Sequence, residues 1–364
     1  MAKAERKAVR LSSFAQQRLF QLDPLSDSRW PPFVDGHPAA SVFHTPEWLQ
    51  SLVKTYGYRA VVFTFDPPGE PLTHGIVCCA VNSWLTGRHV VSLPFSDHCE
   101  PLVESPQDLD DLLGALQKQE TTRWKYVEIR PRSNRAWDME SHSGFGAGDR
   151  YFLHILDLRP GLDELYRGFH EDSVRRKIRR AEREGLAYEE GRSEALLGKF
   201  YRLLLLTRRR HHLPPQPLTW FRNLLICLGG RLKIRVALKD GQPIASILTL
   251  RYKHTLVYKY GCSDARFHNL GGMALLFWKA IQEAKQAGLA EFDFGRSDVD
   301  QPGLIIFKDR WGTARSTLTY LRHPARDPHS AGARRRMRLA GRVIAHAPDG
   351  VLAMAGKLLY RHIG

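Results

Sequence analysis

The order of helix and strand patterns recurs on the two sides of residues 132–150, a stretch rich in Ser and Gly. Apolar residues spaced three and four apart predict helices, and short runs of β-branched and aromatic residues predict strands. On each side, several strand patterns, a helix pattern and a further strand pattern follow in that order. This order predicts an α/β (α+β) chain of two similarly built domains, each with a mixed sheet flanked by helices.

The predicted elements follow from local signals. Thr45-Pro46 before an apolar helical pattern predicts a helix start, and Asp240-Gly241 predicts a hairpin turn. We expect the first domain to contain helices at 45–56 and 108–122 and strands at 58–65, 73–84, 88–94 and 125–131. The second should contain helices at 161–169, 173–184, 194–211, 218–228, 271–287 and 303–310, and strands at 151–158, 232–238, 243–252, 255–261, 291–294 and 316–321.

The domain boundaries are placed where composition changes. Residues 1–40 are expected to form an N-terminal extension, 41–150 the first domain, 151–323 the second, and 324–364 a helical tail. The tail carries eight basic and two acidic residues, and apolar residues between 351 and 359 fall on one helical face. An amphipathic helix of this kind lies on an anionic membrane surface or packs against the body of the protein.

Charge is the unusual feature of the composition. The chain has 54 Lys and Arg against 38 Asp and Glu, a formal net charge of +16, which favours a polyanionic partner. Five cysteines with no C-x-x-C pair indicate a reducing cytosol, and no His or Cys spacing predicts a metal site. No apolar run reaches the roughly 18 residues of a membrane span, so we expect a soluble or peripheral protein.

Two stretches have the chemistry of phosphate binding. A basic helix after Asp172 presents Arg176, Lys177 and Arg180, although charge runs of this kind are often only solvated faces. Gly271-Gly272 open the strongest helix, where backbone N–H groups could approach an anion. Many N-acetyltransferases hold the coenzyme A pyrophosphate in this way, but a glycine pair also lets a helix pack closely.

Two further stretches carry candidate catalytic or binding residues. In the loop 93–101, Asp97 is a candidate acceptor ligand or proton acceptor, Glu100 is the alternative, and a turn-stabilising role is equally compatible with the pattern. The second stretch comprises a strand that ends in Asp293-Phe294-Gly295-Arg296-Ser297 and a short helix with Lys308 and Trp311. Its candidate substrate-binding or donor-binding residues are Asp293, Arg296, Ser297 and Trp311.

Together these stretches resemble the FemABX-like branch of the GNAT superfamily. The resemblance lies in Phe43–Leu49, Ser173–Gly185, Leu275–Gly288 and Asp293–Ser297 leading to Phe307-Lys308-x-x-Trp311-Gly312, and it covers about residues 40–322. It implies two tandem GNAT-like domains and transfer of an acyl or aminoacyl group to an amine. It also implies that Lys308 lies near the acyl carbonyl, where a cation would stabilise the oxyanion or a substrate phosphate; the alternative is a surface lysine.

The resemblance leaves the donor open between aminoacyl-tRNA and acetyl-CoA, neither bound permanently. The helical hairpin that some tRNA-using members insert is not evident in 194–228. The implied acceptor is an amine-bearing envelope or exopolysaccharide precursor, and the implied location is the cytoplasm or the inner face of the membrane. The alternative functions are a coenzyme A-dependent N-acetyltransferase and a non-enzymatic basic protein that coats nucleic acid or membrane.

Overall fold

A computed structural model describes residues 18–120, 124–132, 144–324, 354, 356 and 358–362. By its internal contacts the chain forms two units. The first unit comprises residues 1–149, 318–328 and 361–364, and the second comprises 150–317 and 329–360. The strands β6 (Gly146–Asp157) and β12 (Ala314–His323) each contribute residues to both units.

The first unit is a mixed sheet with helices. Its remaining elements are β1 (Phe20–Leu22), α1 (Trp30–Gly36), α2 (Pro46–Tyr56), β2 (Arg59–Thr64), β3 (Ile76–Ser83), β4 (Gly87–Val91), α3 (Pro106–Glu120) and β5 (Tyr126–Ile129). Strands β1 to β4 pair antiparallel in sequence order, β4 and β5 pair parallel, and the end of β12 pairs antiparallel with β5. Apolar side chains of α3 and of the strands bury one another in a shared core.

Helix α2 shows how directly some of the sequence signals act. The Trp48 N–H donates to Thr45 Oγ1 over 3.4 Å, Pro46 occupies the first helical position, and Gly57 ends the helix at φ +71°. Each of these contacts is local in sequence, so the predicted helix 45–56 is confirmed almost to the residue.

The second unit has the larger sheet. Its elements other than β6 and β12 are α4 (Leu162–Gly168), a π-helical turn (Glu171–Arg175), α5 (Arg176–Arg183), β7 (Ala187–Gly191), α6 (Glu194–Arg210), α7 (Leu218–Leu228), β8 (Leu232–Lys239), β9 (Gln242–Tyr252), β10 (Thr255–Ser263), α8 (Gly272–Gln286), β11 (Glu291–Asp298) and α9 (Pro302–Asp309). Its strands follow the order β6-β11-β10-β9-β8-β7, in which only β10 and β11 run parallel.

Strands β10 and β11 pair over a short distance. Thr255–Val257 align with Glu291–Asp293, and beyond this alignment the register of each strand shifts against its other neighbour. The shift in β11 falls between Asp293 and Arg296, opposite β6. Helix α8 packs on this part of the sheet through Phe277, which contacts the rings of Phe292, Phe294 and Trp311. The irregular end of β11 is therefore anchored by an aromatic core.

The mixed α/β class is confirmed, with departures in detail. Residues 1–40, expected to be an extension, contain β1 and α1, and β6 begins at Gly146, before the expected strand start at 151. Strand β7 was not predicted because Ala187–Gly191 reads as a polar segment with two glutamates. Of the expected tail, Met354, Gly356 and 358–360 are helical, and 325–353 lie outside the described residues. Within the described residues, no helix is long and apolar enough to cross a bilayer.

Candidate functional site

A cavity of about 500 Å³ lies within the second unit. Its wall is built by the start of α5, the N-terminal end of α8 and the segment that ends α9. Five of the residues predicted to bind the donor line it: Arg176, Lys177, Gly271, Gly272 and Trp311. The structure thus brings together three stretches that are distant in the sequence.

Helix α5 presents its cations as the pattern predicted. Val174, Ile178 and Ala181 are buried, while Arg176 is 68% exposed and lies 3.5 Å from Asp172. An exposed ion pair of this length contributes little to stability, so the arginine can exchange this partner for a ligand. Arg180 instead pairs with Glu184 at 2.7 Å and does not belong to the cavity wall.

The two glycines at the start of α8 serve close packing. Gly271 has φ +82°, and a Cβ atom there would lie 2.2 Å from the main-chain oxygen of Lys177. A Cβ atom added to Gly272 would lie 3.2 Å from side-chain atoms of Ala245 and Ile244. The close-packing explanation therefore has direct geometric support. Because the same glycines line the cavity, the N-terminal amides of α8 also lie at its wall.

The Asp-Phe-Gly stretch forms the bulge of β11. The Gly295 N–H donates to Asp293 Oδ1 over 2.7 Å, and Gly295 adopts φ +72°, which a glycine tolerates. Phe294 is buried in the core of the unit. Asp293 is itself only 1% exposed, so its carboxylate shapes the main chain at this position.

Lys308 completes the bulge. Its Nζ donates to the main-chain oxygens of Gly295 and Arg296, each over 2.8 Å, and the residue is 2% exposed. It is therefore no surface lysine. It is not among the residues that line the cavity, whereas Phe307 and Trp311, on either side of it in the chain, are. Lys308 thus ties the wall-forming segment to the bulge of β11.

The structure adds a residue that the sequence analysis missed. His154 on β6 is fully buried opposite the bulge, and its Nε2 lies 3.2 Å from Asp309 Oδ1. Burial, together with the positive charge of Lys308, lowers the pKa of His154 to about 4. A single histidine in an apolar strand gives no local signal for this position, because its neighbours come from a bulge more than 130 residues later.

The remaining candidates on β11 lie outside the cavity wall. The Arg296 guanidinium lies 4.1 Å from the ring centroid of Tyr151, a cation–π contact. Ser297 is buried, and its hydroxyl has no hydrogen-bond partner among the described residues. Neither side chain lines the cavity. The site residues predicted in the second unit therefore divide into a cavity wall and a bulge.

The candidate loop of the first unit is held by a histidine. The Nδ1 atom of buried His44 accepts from the Ser41 N–H over 3.0 Å, and its Nε2 donates to the main-chain oxygen of Glu100 over 2.8 Å. Burial lowers the pKa of His44 to about 4. The hydroxyl of Tyr320 donates to the main-chain oxygen of Asp97 over 2.7 Å. The loop is thus fixed through its backbone.

The side chains of this loop differ in what they can do. The Glu100 carboxylate accepts a hydrogen bond from the Arg132 main-chain N–H. Burial raises the pKa of the Cys99 thiol well above its usual value, which keeps the thiol protonated and a poor nucleophile. The cavity described above is lined by residues of the second unit, so Asp97 and Glu100 are not part of its wall.

Across the ranges that the structure describes, no group of three or more His, Cys, Asp or Glu side chains is placed to hold a metal ion.

A comparison with protein families finds a match within the second unit. Residues 169–301 match the family described as Acetyltransferase (GNAT) domain. This range includes α5, the Gly271-Gly272 pair and the bulge of β11, so it contains most of the cavity wall. No curated protein matches the chain in sequence.

Solved structures with a similar fold extend over both units. FemX has a TM-score of 0.64 at 15% identity, over 83% of this chain and 96% of that chain. The C-terminal domain of a putative lysylphosphatidylglycerol synthetase from Agrobacterium fabrum has a TM-score of 0.53 at 14% identity, over 87% and 95%. A tandem GNAT protein from the clavulanic acid biosynthesis pathway has a TM-score of 0.51 at 11% identity, over 84% and 97%.

At these identities the structural comparison shows the fold, and the family match adds the type of domain. The expected resemblance is confirmed at this level, since the fold is that of tandem GNAT proteins. The match of residues 169–301 to the GNAT acetyltransferase domain, together with a fold similar to that of tandem GNAT proteins, supports an acyltransferase.

Proposed function

We propose that the protein transfers an acyl or aminoacyl group from a phosphate-bearing donor to an amine on an envelope or exopolysaccharide precursor. The observation that carries this proposal is the cavity wall, where Arg176, Lys177 and the N-terminal amides of α8 meet apolar side chains. Cations and helix N-termini bind phosphate, and aromatic walls cover the uncharged part of a donor.

In addition to the donor site, the chemistry requires a proton acceptor, a positive charge for the oxyanion and groups that orient the reactants. The amine nitrogen attacks the donor carbonyl, a C–N bond forms, and the C–S or C–O bond to the leaving group breaks. The nitrogen loses a proton to a base, and the leaving group takes up a proton. We assign Asp97, with Glu100 as the alternative, to the acceptor as ligand or proton acceptor. Lys308 supplies positive charge for the oxyanion, and Asp293, Arg296 and Ser297 orient the reactants beside it.

Two classes of acyl donor are compatible with this proposal. The match to an acetyltransferase domain favours an acyl-CoA donor such as acetyl-CoA. The fold shared with FemX and with a putative lysylphosphatidylglycerol synthetase favours an aminoacyl donor and an acceptor of the cell envelope. A purely nucleic-acid-coating role has the least support, since it gives no reason for a GNAT domain.

The expected location is the cytoplasm, with attachment to the inner face of the membrane through 324–364. Most of that tail lies outside the described residues. At its end the Tyr360 hydroxyl donates to the main-chain oxygen of Pro214 over 3.0 Å, while Met354 and Leu358 are 65% and 62% exposed. The tail thus combines a packed contact with exposed apolar side chains, and we retain it as a candidate membrane contact.

The deciding experiment measures binding of acetyl-CoA and of aminoacyl-tRNA to the full chain at several salt concentrations. We expect Lys177→Gln to weaken binding of the true donor about tenfold and to flatten its salt dependence. Arg183→Gln is the matched control, because Arg183 is exposed on the same helix and does not line the cavity. Equal affinities and salt slopes for the two variants would contradict a donor site in this cavity.

A further inference from the structure

We infer that the turn between β3 and β4 in the first unit is a membrane contact that inserts its apolar side chains into the interface of an anionic bilayer. The turn, residues 84–87, is called the Trp84 tip. Trp84 is 83% exposed and the adjacent Leu85 is 51% exposed. Among the described residues of the first unit, they are the most exposed large apolar side chains, and they are neighbours in the chain.

The Trp84 tip is held in one conformation by its own hydrogen bonds. Ser83 Oγ accepts from the Leu85 N–H over 3.1 Å and from the Thr86 N–H over 2.9 Å. Gly87 closes the turn at φ +85°. Because the turn is preorganised, exposing two apolar side chains is a feature of the folded state rather than of a loose loop.

The end of the chain lies against the same turn. The Trp84 Nε1–H donates to His362 Nε2 over 3.1 Å, and the Thr86 hydroxyl donates to the His362 main-chain oxygen over 2.9 Å. The polar edge of the indole is therefore bound while most of its ring stays exposed. An indole with a satisfied N–H and an uncovered apolar ring is suited to a membrane interface.

The charge around the tip is positive. Arg88 and Lys125 are exposed beside it, and a Cβ atom at Gly87 would lie 2.9 Å from Lys125 Cδ, so the lysine stem covers the turn. Arg361 precedes the His362 contact and is also exposed. Residues 71–96 contain no Asp or Glu. Cations surrounding exposed apolar side chains complement an anionic lipid surface.

Leu85 favours lipid over single-stranded nucleic acid as the occupant. Nucleic acid would stack a base on the Trp84 ring and bind the cations through phosphates, but it would gain little from an exposed leucine. A bilayer interface takes up both side chains. This contact is independent of the acyl donor, and it involves residues other than the exposed tail side chains Met354 and Leu358.

The test uses the full-length protein with vesicles of phosphatidylglycerol and phosphatidylcholine in equal parts, and with phosphatidylcholine alone, at low and high salt. We expect salt-sensitive binding to the anionic vesicles only. Trp84→Ser combined with Leu85→Ser should weaken that binding at least tenfold. Ile226→Ser is the matched control, since Ile226 is 72% exposed on α7, and it should change binding less than twofold.

Two further measurements separate the contact from misfolding and from the proposed function. The double variant should keep the wild-type melting temperature and the wild-type rate of transfer to a soluble acceptor. If the wild-type protein shows no transfer activity, the proposed function fails but the vesicle result still tests the membrane contact. Leu85→Ser alone should weaken vesicle binding about threefold. Unchanged vesicle binding in the double variant would overturn the inference, and so would an equal loss of binding in Ile226→Ser. It would also be overturned if the protein bound an oligonucleotide through Trp84 and did not bind vesicles.

Discussion

The bulge of β11 and the loop 97–100 are each held by one buried basic side chain, but the two side chains differ in charge. In the second unit, the Lys308 amine binds the main-chain oxygens of Gly295 and Arg296. In the first unit, His44 links Ser41 to the Glu100 main-chain oxygen as a neutral ring, with its pKa lowered to about 4 by burial.

The difference shows two ways to fix a candidate catalytic segment. A lysine clamp brings a cation close to the bulge, so one residue can both shape the main chain and act on developing negative charge. A neutral histidine clamp leaves no charge at neutral pH, so its loop supplies chemistry only through its own carboxylates. The two clamps should therefore respond differently to substitution and to pH.

Replacing Lys308 should give the largest effect. Lys308→Met leaves two buried carbonyls without their donor, and we expect the free energy of unfolding to fall by about 3 kcal/mol. Turnover should fall by about a thousandfold while donor affinity changes less, because a cation facing an oxyanion acts mainly in the transition state. Denaturant unfolding and steady-state kinetics measure the two effects.

Gly295→Ala is the matched control for this clamp. It strains the same bulge at φ +72° without removing a cation. If the charge of Lys308 acts on the substrate, Lys308→Met lowers turnover at least tenfold more than Gly295→Ala. Equal losses in the two variants would reduce Lys308 to a positioning residue.

A backbone contact offers a comparison without any charge. Gly271→Ala would place a Cβ atom 2.2 Å from the Lys177 main-chain oxygen in a left-handed conformation, and we expect a loss of about 3 kcal/mol in stability together with weaker donor binding. Gly288→Ala, at φ +68° with open space around it, should lose only about 1 kcal/mol. Similar losses would show that strain alone, and not the α5–α8 contact, determines the effect.

The histidine clamp should reveal itself in the pH dependence of stability. The pKa of His44 is about 4 when folded and near 6.5 when unfolded, so the unfolded chain binds the extra proton between these values. Stability should therefore be complete above pH 6.5 and fall as pH decreases, by about 2 kcal/mol from pH 7 to pH 5 for this group.

His154 should contribute a similar decrease, because its pKa is also lowered to about 4. The two histidines can be separated with His44→Gln and His154→Gln, each measured by denaturant unfolding at pH 7 and pH 5. Each variant should lose its share of the pH dependence. A variant that keeps the full wild-type slope would remove that histidine from the explanation.

Features that depend on near neighbours in the chain are the ones that the sequence predicts most accurately. The cap, proline and terminal glycine of α2 are all within or next to the helix, and the buried face of α5 follows from spacing alone. Strand β7 was missed because its polar residues lie at the edge of the sheet, where pairing with β8 decides the conformation.

The candidate site was predicted only in part, for a related reason. The sequence singled out Lys308 and Asp293 as candidates, but the hydrogen bonds of Lys308 to Gly295 and Arg296 depend on how α9 folds back on β11. The position of His154 depends on the pairing of β6 with β11. Contacts of this kind follow from the fold, which spacing along the chain does not encode.

The carboxylates of the histidine-held loop should give the smallest effects. Glu100→Gln keeps an oxygen for the Arg132 N–H but removes the charge, so we expect a loss of about 1 kcal/mol in stability and a change in acceptor KM below threefold.

Asp97→Asn should raise the acceptor KM about tenfold if Asp97 binds the amine as its ammonium form, with turnover at saturation changed less. Steady-state kinetics over pH 6 to 9 distinguishes this role from proton abstraction, because loss of a general base would lower turnover at every acceptor concentration. A reversed order, with Glu100→Gln the more damaging to KM, would transfer the acceptor role to Glu100. Glu100, whose main-chain oxygen accepts the hydrogen bond from His44, would then carry the chemistry of the first unit in place of Asp97.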